Sequence, residues 1–498
     1  MKKFLTVLVK ILCCILVSVA FVALFAALWY IRVYGDIGFD SILYTLLNDV
    51  GGVQSGLVTG YLLEGLLPAA VCSALVCLLL MLKPRFSLKI KKVKLWPFPM
   101  WIYAPVSLIL CAVLMFTAAA QVKLPEYISY LSKQSTLFQD EYVDPKETDI
   151  AFPEQKRNLI YIMLESMETA FMQKEVGGAV DEDLVPELYG LAKDNINFSH
   201  NDGVGGFYEL AGAGWTIASM VSQTSGVPLK TPPGFTSTTY AEEDEYLPGL
   251  TTMGDILDEE DYYQALMVGS EASFGGRERY YSQHGFNKIY DLHDAREEGI
   301  VDEDYYVWWG MEDMYLYEYA KELITRLSKK DRPFAVSMLT VDTHHVDGYK
   351  CDLCMWEHNE QYKNVISCAS RQLYAFVEWI KAQDFYENTT VVIVGDHPSM
   401  DSGFFERNVD DSYQRTVYNC FINSVAEPEN TKNRIFGAID LFPSTLAAMG
   451  CEIEGERLGL GTNIFSDKPT LAEEKGLDEF NAELKMNSDY YTKNFFFK

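Results

Sequence analysis

The sequence predicts an α/β fold, a doubly wound sheet covered by helices on both faces, preceded by an N-terminal transmembrane helical region. Three observations predict it. Long apolar stretches are confined to roughly the first 125 of 498 residues. Beyond residue 158, short apolar runs alternate with longer helical patterns, as they do where helices layer a parallel sheet. The residues able to do chemistry fall at the ends of those runs, where open α/β sheets gather their ligands.

The apolar stretches run over about residues 4–31, 61–82 and 98–120, each long enough to cross a bilayer as a helix. The first exceeds an ordinary signal-peptide core and two more follow, so it is expected to stay as an anchor. Lys2, Lys3 and Lys10 lie at the start of the first stretch, and Lys83, Arg85, Lys89, Lys91, Lys92 and Lys94 follow the second. The intervening loop has Arg32 but also Asp36, Asp40 and Asp49. Basic loops stay cytoplasmic, which places the N-terminus inside and everything after residue 121 outside. Residues 122–157, polar and patternless with Pro125, Pro145 and Pro153, are expected to be a linker, and 158–498 the catalytic domain. Its clearest strands are 159–164, 263–268, 334–341 and 390–394. Helices are expected over 217–223, 315–327, 367–382 and 443–449.

Charge follows the same division. Residues 1–125 carry 11 basic and 4 acidic side chains, and the remainder 30 and 66, a net charge of −36. Such a surface repels nucleic acid, so an anionic substrate must be held by local cations or a metal. Of ten cysteines, Cys13, Cys14, Cys72, Cys77 and Cys111 lie in the apolar stretches and Cys351, Cys354, Cys368, Cys420 and Cys451 beyond them. Cys351-Asp-Leu-Cys354 followed by Cys368 lacks a fourth zinc ligand of matching spacing, and a local disulfide is expected there.

Four places carry chemistry. Gly212-Ala-Gly-Trp-Thr216 delivers a hydroxyl to the start of a helix, whose free N–H groups and dipole suit an anionic group. A helix cap is the plainer reading of the same residues. The strand at 159–164 ends in Glu165-Ser-Met-Glu168, a metal-binding carboxylate or a helix N-terminal acid. The strand at 390–394 ends in Gly395-Asp396-His397-Pro398, a tight turn suited to presenting ligands. Oxygen ligands with one imidazole suit Mn²⁺ or Mg²⁺ and permit Zn²⁺. The strand at 334–341 ends in Asp342-Thr-His344-His345. Consecutive side chains of an extended segment face opposite ways, so one of these two histidines at most is expected to meet substrate. Three of seven histidines sit at these two strand ends. Arg277, after a Gly-rich turn, either forks onto a phosphate or pairs with Glu271 or Glu278.

Together these segments resemble the membrane-bound phosphoglycerol transferases of the alkaline phosphatase and sulfatase superfamily, among them lipoteichoic acid synthases and the enzyme that decorates osmoregulated periplasmic glucans. The resemblance covers Asn158-Leu-Ile-Tyr-Ile-Met-Leu-Glu165, Gly214-Trp-Thr-Ile-Ala-Ser-Met220, Leu339-Thr-Val-Asp-Thr-His-His345 and Val394-Gly-Asp-His397. It continues through Asp440-Leu-Phe-Pro-Ser-Thr445 and Arg457-Leu-Gly-Leu-Gly-Thr-Asn-Ile-Phe465. It implies an alkaline phosphatase/sulfatase-like sheet and one divalent ion, usually manganese, held by Glu165, Thr216, Asp396 and His397. Thr216 would be the nucleophile toward a phosphatidylglycerol head group, with Arg277 and His344 as substrate contacts and a glycan, glycerophosphate polymer or glycolipid as acceptor.

The match has departures. The lipoteichoic acid branch has Asp and Trp where this chain shows Ser270 and Gly275, and five spans where three are read here. Phosphoethanolamine transfer is the rival within the superfamily. An arylsulfatase is excluded, because no Cys/Ser-x-Pro-x-Arg stretch occurs. A non-catalytic membrane-anchored sensor is the rival outside enzymes.

Overall fold

The structure, a computed structural model, describes residues 2–35, 38–47, 55–81, 88–90, 93–96, 100–231 and 245–496. The expected span boundaries at 82 and 98, and Asp36, Asp49, Lys83, Arg85, Lys91 and Lys92 from the orientation argument, lie outside them. The chain divides into two units: Met1–Phe39 with Val53–Ile128, and Asp40–Gly52 with Ser129–Lys498.

Among the described residues of the first unit three helices are long and apolar enough to cross a membrane, Phe4–Tyr34, Gly56–Met81 and Tyr103–Gln121. The first packs against both others. Leu63, Leu75, Ile109 and Phe116 point outward, as lipid-facing residues do. Two charged side chains of these helices are paired: Glu64 with Arg32 at 3.2 Å, and Lys10 with the Leu80 carbonyl at 2.6 Å.

The second unit is built on a seven-stranded sheet. In chain order its strands are β1 (Asn158–Leu164), β2 (Gly206–Phe207), β3 (Tyr263–Val268), β4 (Lys288–Tyr290), β5 (Phe334–Leu339), β6 (Thr389–Gly395) and β7 (Val417–Ile422). Their spatial order is β2-β7-β6-β1-β5-β3-β4. The five strands from β6 to β4 are parallel, but β7 runs antiparallel to β6 and to β2, so the sheet is mixed where a parallel one was expected.

Alternation along the central strands divides two cores. Leu159, Tyr161 and Met163 enter one, Ile160, Ile162 and Leu164 the other. Each such side chain contributes roughly 1.5–3 kcal/mol by leaving water. From Ser129 on, the segment expected as a linker is packed into the second unit: Leu137 and Phe138 are buried, and Ile150–Ala151 pairs with Glu452–Ile453.

Register positions the site. Met163 stands opposite Leu339 on one side and Val394 on the other, and Leu164 opposite Gly395. The carboxyl ends of β5, β1 and β6 therefore finish level, and whatever follows them converges.

Candidate active site

Glu165 follows β1 directly, and the chain turns at Ser166 with a φ of +56°. Glu165 is 2% exposed. Its N–H donates to Thr340 Oγ1 at 3.0 Å and its carbonyl accepts from Thr343 Oγ1 at 2.5 Å, so the residues after β5 fix its backbone. Asp396 follows β6. Its Oδ1 accepts from the N–H groups of Ser166 and His397, both at 2.7 Å, while buried Oδ2 makes no hydrogen bond among the described residues.

His397 completes the set. Its Nδ1 lies 2.9 Å from the Pro398 carbonyl, which can only accept, so the proton sits on Nδ1 and Nε2 faces inward. That Nε2 is 3.3 Å from Asp396 Oδ2 and 3.8 Å from Glu165 Oε1. Ligand atoms of Glu165, Asp396 and His397 lie within 4.8 Å of one another, all buried. Lone pairs facing lone pairs are relieved by a bound proton or by a cation between them. The orphaned Oδ2 and the backbone-oriented imidazole fit a divalent ion with oxygen and single-nitrogen ligation.

The same conflict shifts the pKa values of the three groups. Burial raises the Asp396 carboxyl to about 8, with Glu165 adding to it and His397 opposing. His397 is raised: burial works against its charged form, but Asp396 and Glu165 outweigh it. Glu165 is lowered despite burial, by the His344 and His397 imidazoles.

Thr216 is the first residue of the helix Thr216–Ser225, and extended Trp215 is the N-cap. The capping reading therefore falls: the hydroxyl makes no cap bond and points at the cluster, with Oγ1 3.4 Å from Glu165 Oε2 and 3.3 Å from His397 Nε2. The glycines make the approach possible. Gly212 has a φ of +81°, and a Cβ on Gly214 would sit 2.2 Å from Glu209 Oε1.

The helix is tied to β6 by buried polar groups. Ser219 Oγ donates to the Asp396 carbonyl, and Gln223 Nε2 donates to Ser219 Oγ at 2.9 Å and the Gly395 carbonyl at 3.1 Å. Tyr161 from β1 donates to Gln223 Oε1 at 2.9 Å.

Arg277 and His344 stand around these four without hydrogen-bonding them. Arg277 is 5% exposed, and Nε donates to Phe274 O at 3.0 Å. Nη2 donates to Ser270 Oγ at 3.0 Å and Glu271 O at 2.7 Å. The surface pairing with the Glu271 or Glu278 carboxylate is absent among its bonds. Burial lowers it to about 10, opposed first by the Glu165 charge. His344 bonds through Nδ1 to the His345 carbonyl at 2.8 Å, and burial lowers its pKa against the pull of Glu165. The two imidazoles stack at 4.5 Å, contrary to the alternation expected of an extended segment, because the chain turns here. His345 is buried while His344 stays half-buried against Trp309.

Some neighbours were not foreseen. Glu168 is buried in a fork with Arg415, whose Nη2 also reaches the Ser399 carbonyl at 2.6 Å. Tyr44, from the segment between the first two spans, lies with its ring 5.9 Å from Trp215; its hydroxyl bonds Tyr246 and donates to Gly275 O at 2.7 Å. The cysteine expectation also changes. All five beyond the spans are free, and Cys351, Cys354 and Cys368 meet as a trio.

A seven-stranded sheet with a hydroxyl, two carboxylates and an imidazole converging at its carboxyl edge defines an alkaline phosphatase-type α/β site. The sulfatase family profile matches residues 157–451, more than half of the chain, and the chain belongs to that family. It is 30% identical over 267 residues to phosphoglycerol transferase I of Escherichia coli, covering 52% of this chain and 33% of that protein. With the Citrobacter koseri protein of that name it shares 28% over 374 residues, 73% of this chain and 45% of the relative. The matches thus span less than half of those relatives' length. Among solved structures it is similar to an alkaline phosphatase superfamily protein from Vibrio parahaemolyticus, with a TM-score of 0.51, 19% identity and coverage of 70% and 82%. It is also similar to the lipoteichoic acid synthase LtaP from Listeria monocytogenes, with a TM-score of 0.50, 20% identity and coverage of 67% and 82%. At these identities the likeness is one of fold.

Proposed function

We propose that the protein transfers phosphoglycerol from phosphatidylglycerol to an acceptor hydroxyl on a glycan, glycerophosphate polymer or glycolipid, through a phosphodiester on Thr216. The observation that carries this reading is the Thr216 hydroxyl at a helix N-terminus, 3.3 and 3.4 Å from His397 Nε2 and Glu165 Oε2. The relatives' name, phosphoglycerol transferase I, supports the group transferred.

Glu165, Thr216, Asp396 and His397 would hold one divalent ion, Mn²⁺ first and Mg²⁺ or Zn²⁺ as substitutes. Such an ion supplies Lewis acidity and a lowered hydroxyl pKa. Thr216 Oγ forms the bond to phosphorus as the bond to the diacylglycerol oxygen breaks, and diacylglycerol leaves with a proton. The free N–H groups of the helix start lie beside the phosphate oxygens. Arg277, held rigidly through Nε and Nη2, offers a fixed charge to the phosphate. His344, neutral near pH 7 with its proton committed to the backbone, has Nε2 available to take the acceptor hydroxyl's proton in the second half. The acceptor oxygen then bonds phosphorus and Thr216 regains its proton.

The proposed layout places residues 1–121 as a three-span anchor, 122–157 as the connection and 158–498 outside the cytoplasm, facing lipid head groups. The test incubates full-length protein with fluorescent phosphatidylglycerol and Mn²⁺. Diacylglycerol release by wild type and none by Thr216→Ala supports the reading. Equal release by both sinks it, and release from phosphatidylethanolamine alone shifts it to phosphoethanolamine transfer.

A further inference from the structure

We propose that Cys351, Cys354 and Cys368 form a second metal site, for a thiophilic divalent ion such as zinc, apart from the Glu165–Thr216–Asp396–His397 cluster. The three thiols are 2%, 7% and 2% exposed. Cys351 Sγ lies 3.5 Å from Cys354 Sγ and 3.8 Å from Cys368 Sγ, and all three sulfurs fall within 4.8 Å of one another. A tetrahedral ion with metal–sulfur bonds of about 2.3 Å holds its sulfurs roughly 3.8 Å apart, so the trio already has the shape of one tetrahedral face.

Two features of the surroundings suit that occupant. Cys351 and Cys354 sit in a two-residue turn closed by the Cys354 N–H on the Cys351 carbonyl at 3.1 Å, the local geometry of a Cys-x-x-Cys knuckle. Gln372, one helical turn beyond Cys368, donates Nε2 to Cys368 Sγ at 3.4 Å and Cys351 Sγ at 3.6 Å, a donor arrangement that favours thiolates. Glu312 and Asp342 lie within electrostatic reach of Cys351, and each keeps a buried carboxylate oxygen with no hydrogen bond among the described residues. Among the described residues neither carboxylate joins the three sulfurs within 4.8 Å, so a water supplies the fourth ligand. A disulfide would use two sulfurs and strand the third in an apolar niche beside Met314 and Tyr349.

The site's position gives it a purpose. Cys351 and Cys354 lie just beyond His344 and His345, and Cys368 lies in the helix Gln361–Lys381. The same loop is held by the Tyr349 N–H on Asp342 O at 2.7 Å and Gln361 Nε2 on Gly348 O at 2.9 Å. An ion there pins the loop carrying His344 to that helix. Binding releases the thiol protons to solvent and changes no oxidation state.

The test uses full-length protein purified in detergent without chelator or reductant. Metal analysis of the Asp396→Asn variant, whose first site is impaired, is expected to retain about one zinc, released as a mercurial titrates three thiols. Cobalt exchange is expected to give near-ultraviolet sulfur-to-cobalt charge-transfer bands, absent from Cys354→Ser and kept in Asp396→Asn. An intact mass two hydrogens short with no retained zinc would assign a disulfide and overturn the proposal. Three thiols alkylated in native protein without metal loss would overturn it equally. The mass and alkylation readouts use wild type and the metal analysis a variant that keeps all three thiols, so misfolding of Cys354→Ser does not blunt the test.

Discussion

Ser219→Ala isolates the scaffold that aims Thr216 while leaving every group of the site in place. Ser219 Oγ donates to the Asp396 carbonyl and accepts from Gln223 Nε2 at 2.9 Å. The substitution orphans one fully buried carbonyl and removes one of the Gln223 amide's three bonds. Leaving a buried polar group unsatisfied costs about 1–3 kcal/mol. Part appears as lost stability, and the rest as freedom of the Asp396-His397 turn against the Thr216 helix. Loss of an outer support typically costs roughly 10–100-fold in metal affinity or activity. Mn²⁺ affinity by calorimetry is expected to fall about tenfold, with kcat falling in parallel and the KM for lipid nearly unchanged. Tyr161→Phe removes the next bond in the chain, the 2.9 Å contact to Gln223 Oε1. The double variant should lose less than the sum, because both act through Gln223. A variant with unaltered Mn²⁺ affinity and kcat, or fully additive losses, would refute the idea that this chain of buried bonds sets the site.

Other outcomes follow from the same geometry. With Asp396 raised to about 8 and His397 raised as well, the ion-free protein binds more protons folded than unfolded. Its stability should therefore fall as pH rises from about 4 to 8, while Mn²⁺ affinity rises over the upper part of that range; melting curves with and without Mn²⁺ at several pH values check both signs. Arg277→Lys cannot reproduce three simultaneous bonds to Phe274 O, Ser270 Oγ and Glu271 O, so kcat/KM for lipid should drop roughly 10–100-fold without loss of bound metal. Tyr44→Phe removes the donor to the Gly275 carbonyl, two residues before Arg277. A several-fold rise in KM with unchanged melting temperature is the expected kinetic result.

Much of this site could be read from the chain because its parts are local. Glu165 and Asp396-His397 each follow an uninterrupted apolar strand, and parallel register then brings them level. The mixed character of the sheet was hidden, since β2 has two residues and β7 carries Asn419 in mid-strand, bonded to Phe198 and Asn197 across the chain. Ser219, Gln223 and Tyr161 leave no pattern: a buried polar group matters through a partner that periodicity does not reveal. Tyr44 lies some two hundred residues from Tyr246, its hydroxyl partner. The helix expected from Ile217 begins at Thr216, so of the two readings open for this hydroxyl the cap is the one the structure removes. Cys351, Cys354 and Cys368 show the converse, because their grouping was visible in the chain while their state, three free thiols and no disulfide, was not.

Mass spectrometry of full-length protein quenched during turnover with phosphatidylglycerol and Mn²⁺ tests the central claim most directly. The account predicts one phosphoglycerol adduct, localised by fragmentation to Thr216 and absent from Thr216→Ala. Diacylglycerol release with no adduct under rapid quench, or an adduct on another residue that persists in Thr216→Ala, would contradict it.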